Sequence, residues 1–259
     1  MLDNDFLKTF GECDFVYSTR ENEKMPESFI QLLSILGIEF QNLKHIDRTI
    51  QYSKIIIPDE SFWVEKDKGY LFCGQYKKCI DIIRDYGIKN YKKLNNNKFY
   101  FTCSRLRNNR QFGEEDLELF FESQGYTIIA PEEYSFFEQL NIFLNCDSFA
   151  STIGSSSHNC IFMKDNTNLY LIPRAYYLTG YQETLNQVNK LNVTYIDSSV
   201  SIYTNSNAPW NGPFYYYVSR SLKECFHDYN NYNNEFKDFE KYCIISLLKN
   251  KVIGSSNYY

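Results

Sequence analysis

Short apolar runs alternate with helical stripes along this chain, and the alternation is strictest between residues 98 and 196. "KFYFTCS" reads as a strand, and "EEDLELFFESQG" as a helix with Leu117, Phe120 and Phe121 on one face and glutamates on the other. "YTIIAP" is a second strand. "SFFEQLNIFLNC" is a second helix, with Phe136, Leu140, Phe143 and Leu144 at helical spacing. "DSFAST" then leads through a Gly-Ser turn into a short helix at "HNCIFM". "NLYLIP" is a strand, "YQETLNQVNKL" a helix and "VTYID" a strand. This β-α-β-α-β-α-β-α-β succession predicts a parallel sheet covered by helices on both faces. Such sheets take their ligands outside the carboxyl ends of the strands.

Upstream the pattern is looser. "DFVYS" predicts a strand, and "PESFIQLLSILG" a helix opened by Pro and closed by Gly. "SKIIIPD" predicts a strand running into a loop that holds Asp59 and Glu60, and "YKKCIDIIRDYG" a helix closed by its glycine. The Asn-rich stretch at 92–98 reads as a linker. Beyond about 213 the chain is aromatic and reads as helical, most clearly at "FEKYCIISLLKN". The expected organisation is a reduced N-terminal α/β domain at 1–95, a Rossmann-like domain at 96–205, and a C-terminal helical segment at 206–259 packing across both.

Composition narrows the function. Of 259 residues, 43% are hydrophobic and 18% aromatic, enough for substantial cores. The net charge of -5 argues against a nucleic-acid or membrane-surface binder, which would carry a basic face. Eight cysteines lie scattered, with no CxxC pair and no zinc-ligand spacing, as expected of free thiols in a reducing compartment. No signal peptide or apolar run of membrane-spanning length is evident, so the expectation is a cytoplasmic protein without a transmembrane segment.

Against that acidic background, Arg105, Arg107 and Arg110 follow the strand "KFYFTCS" within six residues. Arginine's planar fork fits phosphate oxygens, and the next helix would point its positive end at the same crevice. Surface pairing with nearby glutamates, including Glu114 and Glu115, is the ordinary structural alternative. A second group, "STIGSSSHNCIF", places Gly154, Ser155, Ser156, His158 and Asn159 after a strand, where small residues let backbone amides approach a ligand. The alternative there is a plain helix N-cap. It is neither a Walker loop nor a GxGxxG or GxSxG motif. Glu138 and Gln139 lie off the apolar stripe of their helix and by default face solvent. Asp3-Asn4-Asp5 has the form of a metal-binding DxD but lacks a preceding strand. His45 and His227 read as structural.

In order and spacing these pieces resemble glycosyltransferase family 61 and its relatives in capsule and surface-polysaccharide synthesis. The resemblance rests on Ser104-Arg105, Arg110, Glu114-Glu115, then "YTIIAPEEYSFFEQ" and "STIGSSSHNCIF", over about residues 97–175. Two positions depart from it: Gly113 stands where the family often has Asn, and Ile153-Gly154-Ser155 where many members have His-Gly-Ala. The resemblance implies a GT-B-like fold of two Rossmann-like domains, the N-terminal one reduced and on the acceptor side. It implies inverting, metal-independent transfer from a nucleotide sugar, expected to be UDP-linked, to a glycan or lipid-linked saccharide, with no cofactor. Arg105 and Arg110 would hold the diphosphate, and Gly154, Ser155, Ser156 and Asn159 would donate hydrogen bonds. Glu138 would orient the base, the ribose or an arginine. Asp59, Glu60 and His158 are the candidates for general base. The protein would work in the cytoplasm, with peripheral attachment to the inner membrane face or homo-oligomerisation open. The alternative is a non-catalytic relative that binds a polysaccharide-synthesis partner.

Overall fold

The computed structural model describes residues 14–19, 25–57, 59–106, 111–174, 180–200, 212–230 and 238–246. The chain divides into two compact units, 1–91 and 92–259.

In the N-terminal unit, β1 (Phe15–Tyr17) pairs in parallel with β2 (Leu43–His45), and helix α1 (Glu27–Ile35) lies between them in the chain. β3 (Phe62–Glu65) and β4 (Gly69–Phe72) form an antiparallel hairpin that leads into α2 (Gly74–Asn90). α2 buries Ile80, Ile83 and Gly87, one helical stripe. Gly87 therefore serves as a packing position and does not end the helix, which runs on to Asn90. The strand expected at "SKIIIPD" is absent from residues 54–57. A β-branched run favours extended backbone, but a strand also needs a neighbour to satisfy its amides. None of the described strands pairs with it, and Ile57 is 84% exposed.

The C-terminal unit is built on five parallel strands in the order β10-β9-β8-β5-β7. They are β5 (Lys98–Phe101), β7 (Thr127–Ile129), β8 (Ser148–Thr152), β9 (Asn168–Ile172) and β10 (Asn192–Tyr195). Between them lie α3 (Glu114–Ser123), α4 (Phe136–Asn145), the single turn α5 (Ser155–His158) and α6 (Gly180–Asn186). This is the Rossmann-like α/β arrangement that the alternation predicts. β5 shows why its run is continuously apolar. Phe101 packs on Phe143 of α4 and Phe149 of β8, with ring centroids 5.1 and 4.9 Å apart. Its neighbour Tyr100 points the other way and stacks on Phe121 of α3 at 4.5 Å. Burial of each such ring contributes about 1.5–3 kcal/mol, and both faces of the strand are used.

Strand order also fixes where a ligand belongs. From β5 the chain moves outward to β7, then returns to β8 on the opposite side of β5 and continues to β9 and β10. The direction of winding thus reverses between β5 and β8. A crevice opens at the carboxyl ends of strands at such a switch point.

A second, three-stranded sheet lies in the same unit. β6 (Gln111–Phe112) pairs in parallel with β12 (Phe214–Tyr216), which pairs antiparallel with β11 (Ser199–Val200). The helical expectation for the chain beyond 213 is corrected here. Phe214, Tyr215 and Tyr216 are all buried, so the segment has no polar face for a helix to turn to water, and sheet pairing satisfies its backbone. Helices do follow, α7 (Arg220–Cys225) and α8 (239–246). Among the described residues no helix is long and apolar enough to cross a membrane.

Candidate active site at the sheet switch point

Four segments deliver polar groups to the carboxyl edge of the parallel sheet. They are the end of β5 (Thr102, Cys103, Ser104), the start of α3 (Gly113, Glu114), the end of β8 (Ser151, Thr152, Gly154), and Arg174 just past β9. β12 adds Tyr216.

Glu114 anchors this group. It opens α3, where an acid is expected to face solvent and complement the helix dipole. Here it is fully buried. Its Oε1 accepts from the Tyr100 hydroxyl at 3.1 Å and from the Cys103 amide at 3.0 Å, while Oε2 has no partner. Burial pushes its pKa up to about 7, against the opposing pull of the Cys103 amide, the Arg174 charge and the Tyr100 hydroxyl. The carboxyl is therefore poised between its neutral and charged forms near neutral pH.

Gly113 makes this placement possible. Its φ is +72°, and a Cβ there would lie 2.2 Å from the Tyr216 carbonyl oxygen of β12. The departure from the family's Asn thus has a local cause: β12 passes too close for any side chain.

Arg174 is half-buried. Its Nη2 donates to Thr152 Oγ1 at 3.1 Å and sits 3.6 Å from Cys103 Sγ, and its Nε has no acceptor. The guanidinium lies against Gly154, where a Cβ would come within 2.8 Å of Cζ, Nη1 and Nη2. Its Cζ is 5.7 Å from the centre of the Phe214 ring. The buried Tyr216 hydroxyl feels the Arg174 charge but makes no hydrogen bond of normal geometry, and the buried Ser151 hydroxyl is also unpartnered. Unmet buried polar atoms are uncommon in folded proteins. Glu114, Arg174 and Tyr216 bring three of them to the carboxyl edge of the sheet.

The residues singled out from sequence are distributed unevenly. Arg105 makes a bidentate pair with Glu133, its Nη1 lying 2.8 and 2.7 Å from the two carboxylate oxygens, with both side chains about half exposed. Arg107 and Arg110 lie outside the described residues. Glu138 is engaged in its own helix cap. Its Oε2 accepts from the Ser135 amide and hydroxyl, both at 2.7 Å, and these bonds hold its pKa low. The Gly154 amide donates to Ser157 Oγ at 3.0 Å, and Ser157 in turn donates to Gln182 Oε1 at 2.6 Å. Ser155 is exposed, while Ser156 and Asn159 are half-buried beside it. His158 packs on Tyr181 with ring centroids 4.7 Å apart, and burial together with the Arg174 charge lowers its pKa, which favours the neutral ring. Asp59 and Glu60 belong to the N-terminal unit, where they line an open cavity of about 770 Å³ with Trp63, Cys73 and Gln75.

The Arg105–Glu133 pair is of the exposed kind that contributes little to stability. Arg105→Ala is expected to leave the thermal unfolding midpoint essentially unchanged. A large drop would show that the pair holds the 102–106 loop in place.

Arg174 and Tyr216 were not foreseen from sequence. Arg174 follows the strand "NLYLIP" just as Arg105 follows "KFYFTCS", so the same strand-end logic points to it. Tyr216 is one of three consecutive tyrosines, and only its pairing with β6 selects it. Among the described residues no cluster of three or more His, Cys, Asp or Glu could hold a metal ion.

A family model for glycosyltransferase 61 matches residues 10–170, which span most of the N-terminal unit and the C-terminal unit as far as β9. The chain belongs to the glycosyltransferase 61 family. No curated protein matches it significantly. The matched region contains the ends of β5 and β8 and the start of α3, and so most of the buried cluster. Arg174, Tyr216 and the rest of β12 lie beyond it. The family assignment makes the protein a glycosyltransferase.

Proposed function

We propose that the protein is an inverting, metal-independent glycosyltransferase that moves a sugar from a nucleotide-sugar donor to a glycan or lipid-linked saccharide. The observation that carries this reading is the cluster of unmet polar groups around Glu114 and Arg174 at the switch point of a glycosyltransferase 61 domain. The donor diphosphate would lie across the carboxyl ends of β5 and β8. Arg105 and Arg110 would approach it from the loop after β5, with Arg105 exchanging Glu133 for phosphate oxygens. The turn at Gly154, Ser155 and Ser156, with Asn159, would border its other side. A UDP-linked donor is the working choice.

In the reaction, an acceptor hydroxyl loses its proton to a base as its oxygen bonds to the anomeric carbon. The bond from that carbon to the donor phosphate oxygen breaks in line, and the nucleoside diphosphate leaves with the electron pair. Cationic side chains would offset the charge that builds on it. His158 is suited to the base role because its lowered pKa favours the neutral ring. Asp59 and Glu60 are the alternatives if the N-terminal unit serves as the acceptor side of a GT-B-like pair. Trp63 beside them offers an aromatic platform of the kind sugar rings stack on. The protein would act in the cytoplasm, at the inner membrane face when its acceptor is lipid-linked.

A thermal-shift panel of UDP, GDP, CDP, CMP and their sugars tests the donor. At least one nucleotide is expected to raise the melting temperature, and Arg110→Ala to reduce that rise. Transfer to an acceptor panel, read by NMR, should give product of inverted anomeric configuration. Retained configuration would sink the inverting mechanism, and no shift with any nucleotide would sink the donor. Tight nucleotide binding without transfer to any acceptor would favour the non-catalytic reading.

A further inference from the structure

Arg174 is a half-buried cation whose partners are all neutral. Its Nη2 donates to the hydroxyl of Thr152 and lies 3.6 Å from the thiol of Cys103, the Tyr216 hydroxyl lies beside it, and its Nε is unused. Among the described residues no carboxylate lies within ion-pairing distance of it. Glu114 influences it only through space. Tyr216, Cys103 and Glu114 favour its charged form, but none of them is an ion-pair partner, and an oxyanion ligand would supply one. Arg105 contrasts with it, being exposed and already satisfied by both oxygens of Glu133.

The surroundings of Arg174 fit an incoming oxyanion. One face of the guanidinium rests on Gly154, in the space a side chain would fill. The Tyr216 hydroxyl, on a buried residue, has no hydrogen bond of normal geometry and lies beside the guanidinium. Arginine's planar fork holds phosphate oxygens in pairs, and a phenol adds a further donor. A permanent carboxylate partner would fill the position that an anionic ligand needs.

We infer that Arg174 is the residue that receives the phosphate oxygens of the donor, with the Tyr216 hydroxyl as a second hydrogen-bond donor. The inference rests on the donor reading above and moves the main anion contact from the 104–110 loop to the end of β9. Gly154 acquires a specific role: it leaves room for the guanidinium.

Calorimetric titration of the full chain with inorganic pyrophosphate, UDP, GDP and CDP tests this. Arg174→Ala is expected to weaken whichever ligand binds by more than about tenfold, and Arg174→Lys by an intermediate amount, since lysine keeps the charge without the fork. Gly154→Ala, which displaces the guanidinium from a different position, should weaken binding as well. Arg220→Ala, on an exposed arginine of α7 paired with Glu224, should stay within about twofold of wild type. Circular dichroism and melting curves establish which variants fold. If Arg174→Ala does not, the lysine and Gly154 variants carry the test. A nucleotide bound equally by wild type and the folded variants overturns the inference and leaves the donor reading intact. Pyrophosphate binding that depends on Arg174, with no nucleotide bound, keeps the anion site and sinks the nucleotide donor. No binding of any of these ligands to wild type overturns both.

Discussion

Gly113→Ala is expected to destabilise the C-terminal unit by about 4 kcal/mol, a large part of the roughly 5–15 kcal/mol that holds a domain folded. Two effects combine. The residue sits at φ +72°, where an L side chain costs about 1–2 kcal/mol. The new Cβ would also lie 2.2 Å from the Tyr216 carbonyl oxygen, which is backbone held in the β12 ladder and has no flexible end to move aside. Either α3 or β12 must shift, and each carries part of the buried core around Leu117, Phe120, Phe214 and Tyr216. Gly113→Asn, which restores the residue frequent in the family, relieves part of the backbone strain but keeps the same Cβ. It should rank between wild type and the alanine variant. Urea unfolding of the three proteins checks this, and an alanine variant within about 1 kcal/mol of wild type would show that β12 is not held where the structure has it.

Glu114→Gln should flatten the dependence of stability on pH. Burial raises the folded-state pKa of Glu114 from 4.5 to about 7. The unfolded chain releases that proton near 4.5, whereas the folded chain keeps it until about 7. Between these values the folded state binds more protons than the unfolded state, so stability falls as pH rises. Below about 4.5 both states are protonated and there is no loss. Above about 7 both are ionised and the loss is complete. At roughly 1.4 kcal/mol per pH unit the full effect is about 3 kcal/mol. Glutamine keeps an oxygen to accept from Tyr100 and Cys103 but does not titrate. The difference in unfolding free energy, variant minus wild type, should therefore rise by about 3 kcal/mol between pH 4.5 and 8. Parallel curves for the two proteins would mean that Glu114 does not titrate across this range. The same group sits within the charge field of Arg174, so occupation of that site by an anion would favour the protonated carboxyl further.

Both predictions concern residues whose importance comes from where the chain returns in space. From sequence, Gly113 is a loop residue before a helix, and Glu114 is one of three acids in a first helical turn, alongside Glu115 and Asp116. Only the pairing of β12 with β6 brings Tyr216 down on Gly113 and beside the buried Glu114. Local patterns could not encode this, because the pairing joins residues about a hundred positions apart.

What the sequence determined by itself is the parallel sheet and its helices. Those features rest on local periodicity, and strands buried on both faces announce themselves as unbroken apolar runs such as Phe99 to Phe101. The family pattern was legible as well, since it lies in the order of motifs along the chain. The run at 54–57 shows the limit of local propensity: its residues favour a strand, yet without a neighbour to pair with they form none. The tertiary structure alone decided which charges are free to act. Arg105 stands in the expected place and is neutralised by Glu133, while Arg174, at the end of a strand two places across the sheet from β5, has only neutral hydrogen-bond partners. Ion pairing, burial and the approach of a second backbone depend on distances in space, and the strand order that sets those distances is a property of the folded chain.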